Sequence, residues 1–71
     1  MPGRDESPYG WRRVGGELVA DPVEHLVIAR MRAWHSEGLT YAGIARRLNA
    51  DGTAAPGGRW TARAVAAVLH G

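Results

Sequence analysis

The sequence predicts a mainly α fold: three short helices packed around one small core, with a small N-terminal β-hairpin ahead of them. Three observations lead there. Thr40 and Thr61 each stand between a large apolar residue and a run whose apolar side chains recur at helical spacing. A third such run starts at Asp21-Pro22. The one β-prone stretch is split by Gly15-Gly16. At 71 residues the chain forms a single domain, near the lower limit for a chain that buries its own core.

The elements follow in order. Residues 1–8 lack periodicity and read as a flexible lead-in, so the folded domain covers 9–71. "YGWRRV" and "ELVA" flank the glycine pair, and two residues able to take positive φ between short β-prone runs predict a tight hairpin. So small a hairpin is expected to lean on the helices. Asp21 caps the first helix, Pro22 suits its first position, and Glu24 completes a D-x-x-E capping box. Val27, Ile28, Met31, Trp34 and His35 form its inward stripe, and Gly38 ends it. Thr40 caps the second helix with Leu39 stapling onto Ile44, and Ile44, Ala45 and Leu48 are its buried face. Asn49 to Gly52 stops it. "TAAPGGR" is a loop by composition. Thr61 caps the third helix, where Trp60 staples onto Val65. Val65, Val68 and Leu69 face inward, which leaves Ala62, Arg63, Ala66, Ala67 and His70 outside.

Composition excludes several classes. With no cysteine there is neither a disulfide framework nor a thiolate metal site. His25, His35 and His70 have no zinc spacing, so no metal and no cofactor is expected. Ser7 and Ser36 lack a partnered base, the carboxylates are scattered, and Gly57-Gly58 is too short for a phosphate loop; a catalyst is not expected. No apolar run is long enough to cross a membrane, and the polar "MPGRDESPYG" lacks the order of a signal peptide. A cytoplasmic protein, and no membrane partner, is the expectation.

The charge is all arginine, and it is uneven. Residues 1–21 carry a net −1, residues 22–39 balance, and residues 40–71 carry +3. An anionic partner would dock at that last segment. Two capped helices joined by a turn, arginines on the first and alanines along the outside of the second, suggest a helix-turn-helix that binds double-stranded DNA. The recognition helix must enter a groove about 12 Å wide, and small outer side chains let its backbone come close. Ala66 and Ala67 then meet thymine methyls, and Arg63 and His70 reach base edges. The helix starts behind Thr40 and Thr61, with Arg46, Arg47 and Arg59, would hold phosphates. The competing reading is a protein-interaction module that docks another helix on the same alanine face.

"SPYGWRRVGGELVADPVE" followed by "RMRAWHSEGLTYAGIARRLNADGTAAPGGRWTARAVAAVL" resembles the recombinase domain of large serine recombinases, the integrases and transposon resolvases. The resemblance covers about residues 8–70, and "EGLTYAGIARRLNADG" and "PGGRWT" are its most specific parts. It implies DNA binding within site-specific recombination, in bacteria or phage and at the nucleoid. By position, it implies a groove helix starting at Thr61 and Ala62 and using Arg63, Arg59 near phosphate, and Arg12-Arg13 near the incoming arm. The preceding catalytic serine domain and the following cysteine-rich domain are not in this sequence, so the chain alone would not cut DNA. The "GTAAPGGRW" loop is one residue shorter than the usual form, and "ARAVAAV" carries few polar readers. A natural small protein using this domain alone is the preferred origin, over a piece of a larger recombinase. It would serve as a transcriptional regulator or an accessory of excision, with a recombinase or a second copy of itself as further partners.

Overall fold

Strands β1 (Trp11–Val14) and β2 (Glu17–Ala20) pair antiparallel, Trp11 opposite Ala20 and Val14 opposite Glu17. The computed structural model describes residues 8–70; most of the predicted lead-in, residues 1–7, lies outside the described residues, as does Gly71. Gly15 and Gly16 take φ of 57° and 86°, the positive pair that a two-residue type I′ turn demands.

Every residue of both strands is exposed, which corrects the expectation that the hairpin leans on the helices. It is tied only at its base. The Asp21 N–H donates to the Gly10 carbonyl at 2.8 Å, and the Gly10 N–H donates to Glu24 Oε1 at 2.6 Å. The Trp11 ring meets His25 edge-on, centroids 5.3 Å apart. Gly10 has φ 102°, and a Cβ there would sit 3.0 Å from Ile28 Cδ1, so no other residue fits this crossing without strain.

Helix α1 (Pro22–Ser36) starts as expected at Asp21, whose carboxylate accepts from the Val23 and Glu24 amides at 3.0 and 3.2 Å. Glu24 does not close the capping box. The Asp21 N–H is already given to Gly10, so the Glu24 carboxylate serves the Gly10 N–H instead. Gly38, at φ 102°, ends the helix: its N–H donates to His35 O and the Leu39 N–H to Trp34 O. Val27 and Met31 are buried, Ile28 and Trp34 half-buried. His35, in the last turn of α1, is exposed, against expectation, and its ring stacks on Tyr41 with centroids 5.0 Å apart.

Helices α2 (Tyr41–Ala50) and α3 (Ala62–His70) both open on a threonine cap, Thr40 accepting from the Gly43 amide at 3.0 Å and Thr61 from the Ala64 amide at 3.1 Å. Ile44, Ala45 and Leu48 of α2 are buried, as is Val65 of α3, with Val68 and Leu69 half-buried. Together with Val27, Met31 and Trp60 they make one core. The mainly α, three-helix architecture with a two-stranded hairpin therefore stands. Residues 51–61 join α2 to α3, a longer connection than the turn of about 3–4 residues in compact helix-turn-helix units. What a tight turn would do is done by Asn49. Its Nδ2 donates to Trp60 O and its Oδ1 accepts from the Trp60 N–H, both at 2.8 Å.

Tyr9 packs edge-on against Trp60, centroids 5.3 Å apart. Burial, then the charges of Glu24 and Asp21, push its phenol from 10.0 up to about 12. A raised value in the folded state favours the neutral phenol. That contribution is complete below pH 10 and fades as pH rises through 12. Urea midpoints should therefore fall over that interval and fall less in Tyr9→Phe. Parallel declines in both proteins would remove Tyr9 as the cause.

Candidate nucleic-acid interface

The threonine cap aims the first turn of α3 outward. Helical geometry puts Arg63 and Ala67 each about 200° from the buried Val65, on the solvent side, and both are exposed, as are Thr61 and Ala62 at the start of the helix. Arg59 is exposed just ahead of them. The start of α3 and its outer side therefore expose small side chains together with two guanidinium groups. Ala67 also borders a groove of about 540 Å³ whose walls include Trp11, Ile28, Trp60 and Arg32. Arg32, exposed on α1, adds a third positive group beside α3. Helical spacing alone hides this, because Arg32 belongs to a segment of balanced charge.

Other expected members do not join that surface as expected. Ala66 is half-buried, a correction to its placement outside; it sits about 100° from Val65, on a flank and not on the outer face. His70 is exposed, but its Nε2 forms a hydrogen bond with the Tyr41 hydroxyl, and the two rings meet edge-on at 5.7 Å. A base edge would have to displace Tyr41 to reach Nε2. No local signal announces that pairing, since Tyr41 lies a full helix and loop away in the chain.

Arg47 is exposed and lies beside Trp34. Its guanidinium carbon lies 5.5 Å from the centre of the Trp34 ring, which Arg30 also faces, at 4.9 Å. The α2 stripe that buries Ile44 and Leu48 turns Arg47 toward α1 and away from α3. Arg46 is exposed on the outer side of α2. Arg12 and Arg13 are exposed on β1, and Arg13 Nη1 donates back to Gly16 O at 3.3 Å. Thr40 caps α2 at the same end of the bundle as His35 and His70. The predicted residues thus separate into an α3 group, an α2 group and a hairpin group.

The electrostatics follow from one ion pair. Asp51 is the sole acid in residues 40–71, and its Oδ2 is held at 2.6 Å by Arg30 of α1. Arg46, Arg47, Arg59 and Arg63 therefore have no acidic partner within their own segment. Among the described residues there is no group of three or more His, Asp or Glu side chains arranged to hold a metal ion, and no helix is long and apolar enough to cross a membrane. Chemically the surface offers fixed positive charge, backbone amides at a helix start and small apolar side chains. No family model, curated protein or solved structure matches the chain.

Proposed function

We propose that this chain is a non-catalytic DNA-binding module of the recombinase-domain type, presenting α3 to the major groove of duplex DNA as part of, or accessory to, site-specific recombination at the nucleoid. The observation that carries it is the charge balance around α3: the one acid of residues 40–71 is committed to Arg30, while Arg59 and Arg63 flank an outer face of Thr61, Ala62 and Ala67. A helix with so little bulk on its outer side brings its backbone close to base edges. Arg63 is the base reader, Arg32 and Arg59 meet phosphates, and the first-turn amides of α3 face a phosphate at the positive end of the helix. The helix-turn-helix here has an extended connection, with the Asn49 clamp standing in for the short turn.

Fluorescence anisotropy with a random-sequence duplex tests this. Arg32, Arg59 and Arg63 all meet phosphates in a non-specific complex, so the salt slope should be about −2.7, roughly a fortyfold loss of affinity over a fourfold rise in salt. No binding at low salt would sink the DNA reading and favour a protein partner on the alanine face. After selection of a preferred site from a random library, Arg63→Ala should weaken that site by about 5- to 150-fold and random DNA much less. Equal losses on both would make Arg63 a phosphate contact.

A further inference from the structure

The large exposed hydrophobics of the described residues all fall in one stretch: Trp11, Val14, Leu18, Val19, Val23 and Leu26. They occupy the hairpin and the first turns of α1, and Trp11 also lines the groove beside Ala67 and Arg32. Such a concentration marks an interaction surface. The hairpin is also under-supported for its size. Two strands with no buried residue are marginal alone, whereas three or more make a stable sheet.

We propose that the β2 edge pairs with the β2 edge of a second copy of this chain, making a four-stranded antiparallel sheet centred on Leu18. The edge is chemically ready. The Asp21-to-Gly10 bond and the strand register make Gly10/Asp21, Arg12/Val19 and Val14/Glu17 the pairs that exchange hydrogen bonds. The N–H and C=O of Leu18 and Ala20 therefore point away from β1, toward the free edge.

Symmetry then selects the partner register. Directly opposite residues of an antiparallel pair share a sheet face. A two-fold axis relating two copies of one strand must stand perpendicular to the sheet and place some residue against itself. Two registers pair three residues of β1 with three of its mate; one sets Arg12 against Arg12 and the other Arg13 against Arg13, so like charge bars that edge in both. On β2, an axis at Val19 sets Glu17 against Asp21, again like charges. An axis at Leu18 sets Leu18 on Leu18 and Glu17 beside Val19, with no like pair. With that three-residue overlap, one edge and one register remain, and they bring together two Leu18 side chains that the monomer leaves 46% exposed.

The test uses the whole chain without DNA, so its outcome is independent of the DNA-binding reading. Sedimentation equilibrium from micromolar to millimolar concentration should show a reversible monomer–dimer equilibrium. Leu18→Lys, which places two ammonium groups face to face, should abolish the dimer, while Val14→Lys on the other strand leaves it. Leu18 contributes to no core, and far-UV circular dichroism checks that Leu18→Lys keeps its helices. Amide hydrogen exchange supplies a second readout: the Leu18 amide gains protection as concentration rises, while the Val19 amide, bonded to β1, does not change. A protein that stays monomeric at millimolar concentration overturns the proposal. So does a dimer that survives Leu18→Lys, or one that gives the Leu18 amide no added protection.

Discussion

Replacing Trp60 by alanine should cost about 3–5 kcal/mol, the usual range for emptying a buried aromatic site. Domains of this length have a total stability of roughly 4–11 kcal/mol, so the variant stands near the edge of folding. The indole is 1% exposed and is the largest fully buried side chain. It packs among residues of α1, α2 and α3, and Tyr9 meets it edge-on. No single neighbour can collapse into the space it would leave. Trp60→Phe makes the contrast. The buried Nε1 has no hydrogen-bond partner among the described residues, so phenylalanine sacrifices volume and no hydrogen bond. It should cost about 1–2 kcal/mol. Chemical denaturation with tryptophan fluorescence, still available from Trp11 and Trp34, measures both. A Phe variant as damaged as the Ala variant would mean that Nε1 has a partner after all.

The same residue shows what the sequence made legible. Trp60 before a Thr that opens an apolar run is a local pattern, and local patterns translated well: Thr40, Thr61 and Asp21 cap, Gly15-Gly16 turns and Gly38 terminates. Each depends on residues within about four positions. Errors arose where a side chain found a partner far along the chain. Glu24 has the right spacing for a capping box, yet the Gly10 amide reaches it first. His70 lies on the outer side of α3 by helical spacing, yet Tyr41 takes its ring nitrogen. Arg47 follows Arg46 directly, and one step along a helix turns it through about 100°, enough to set its exposed guanidinium beside Trp34.

The candidate site was legible to the same degree. Thr61, Ala62, Arg63 and Ala67 are neighbours in sequence and stay together on α3. Arg32 comes beside them from α1 only because the core packs α1 against α3, which no spacing rule within either helix encodes. Charge read by segment therefore located the basic end of the chain but not the full basic surface. Arg12 and Arg13 illustrate the opposite case. They are prominent in the sequence, and the fold holds them on an exposed strand edge where like charge guards against pairing.

Asn49→Ala should cost about 2–4 kcal/mol, a large effect for a half-buried polar side chain at a helix end. The reason is what it leaves behind. Asn49 serves both backbone groups of Trp60, and truncation orphans a partly buried N–H and a partly buried C=O together. Each orphaned group carries a desolvation penalty of about 1–3 kcal/mol. Asn49→Asp should not rescue. It keeps an acceptor for the Trp60 N–H but turns a second oxygen toward the Trp60 carbonyl, so repulsion replaces the other bond. Urea midpoints at unchanged m separate this loss from a change in compactness. Asn49 also fixes the residue that immediately precedes the α3 cap, so its loss should loosen where α3 starts. Under conditions where Asn49→Ala remains folded, affinity for a selected DNA site should fall more than affinity for random duplex, because phosphate contacts tolerate a shifted helix and base edges do not. A stability cost below about 0.5 kcal/mol would place Asn49 among ordinary surface residues and leave the long α2–α3 connection held by Trp60 packing alone.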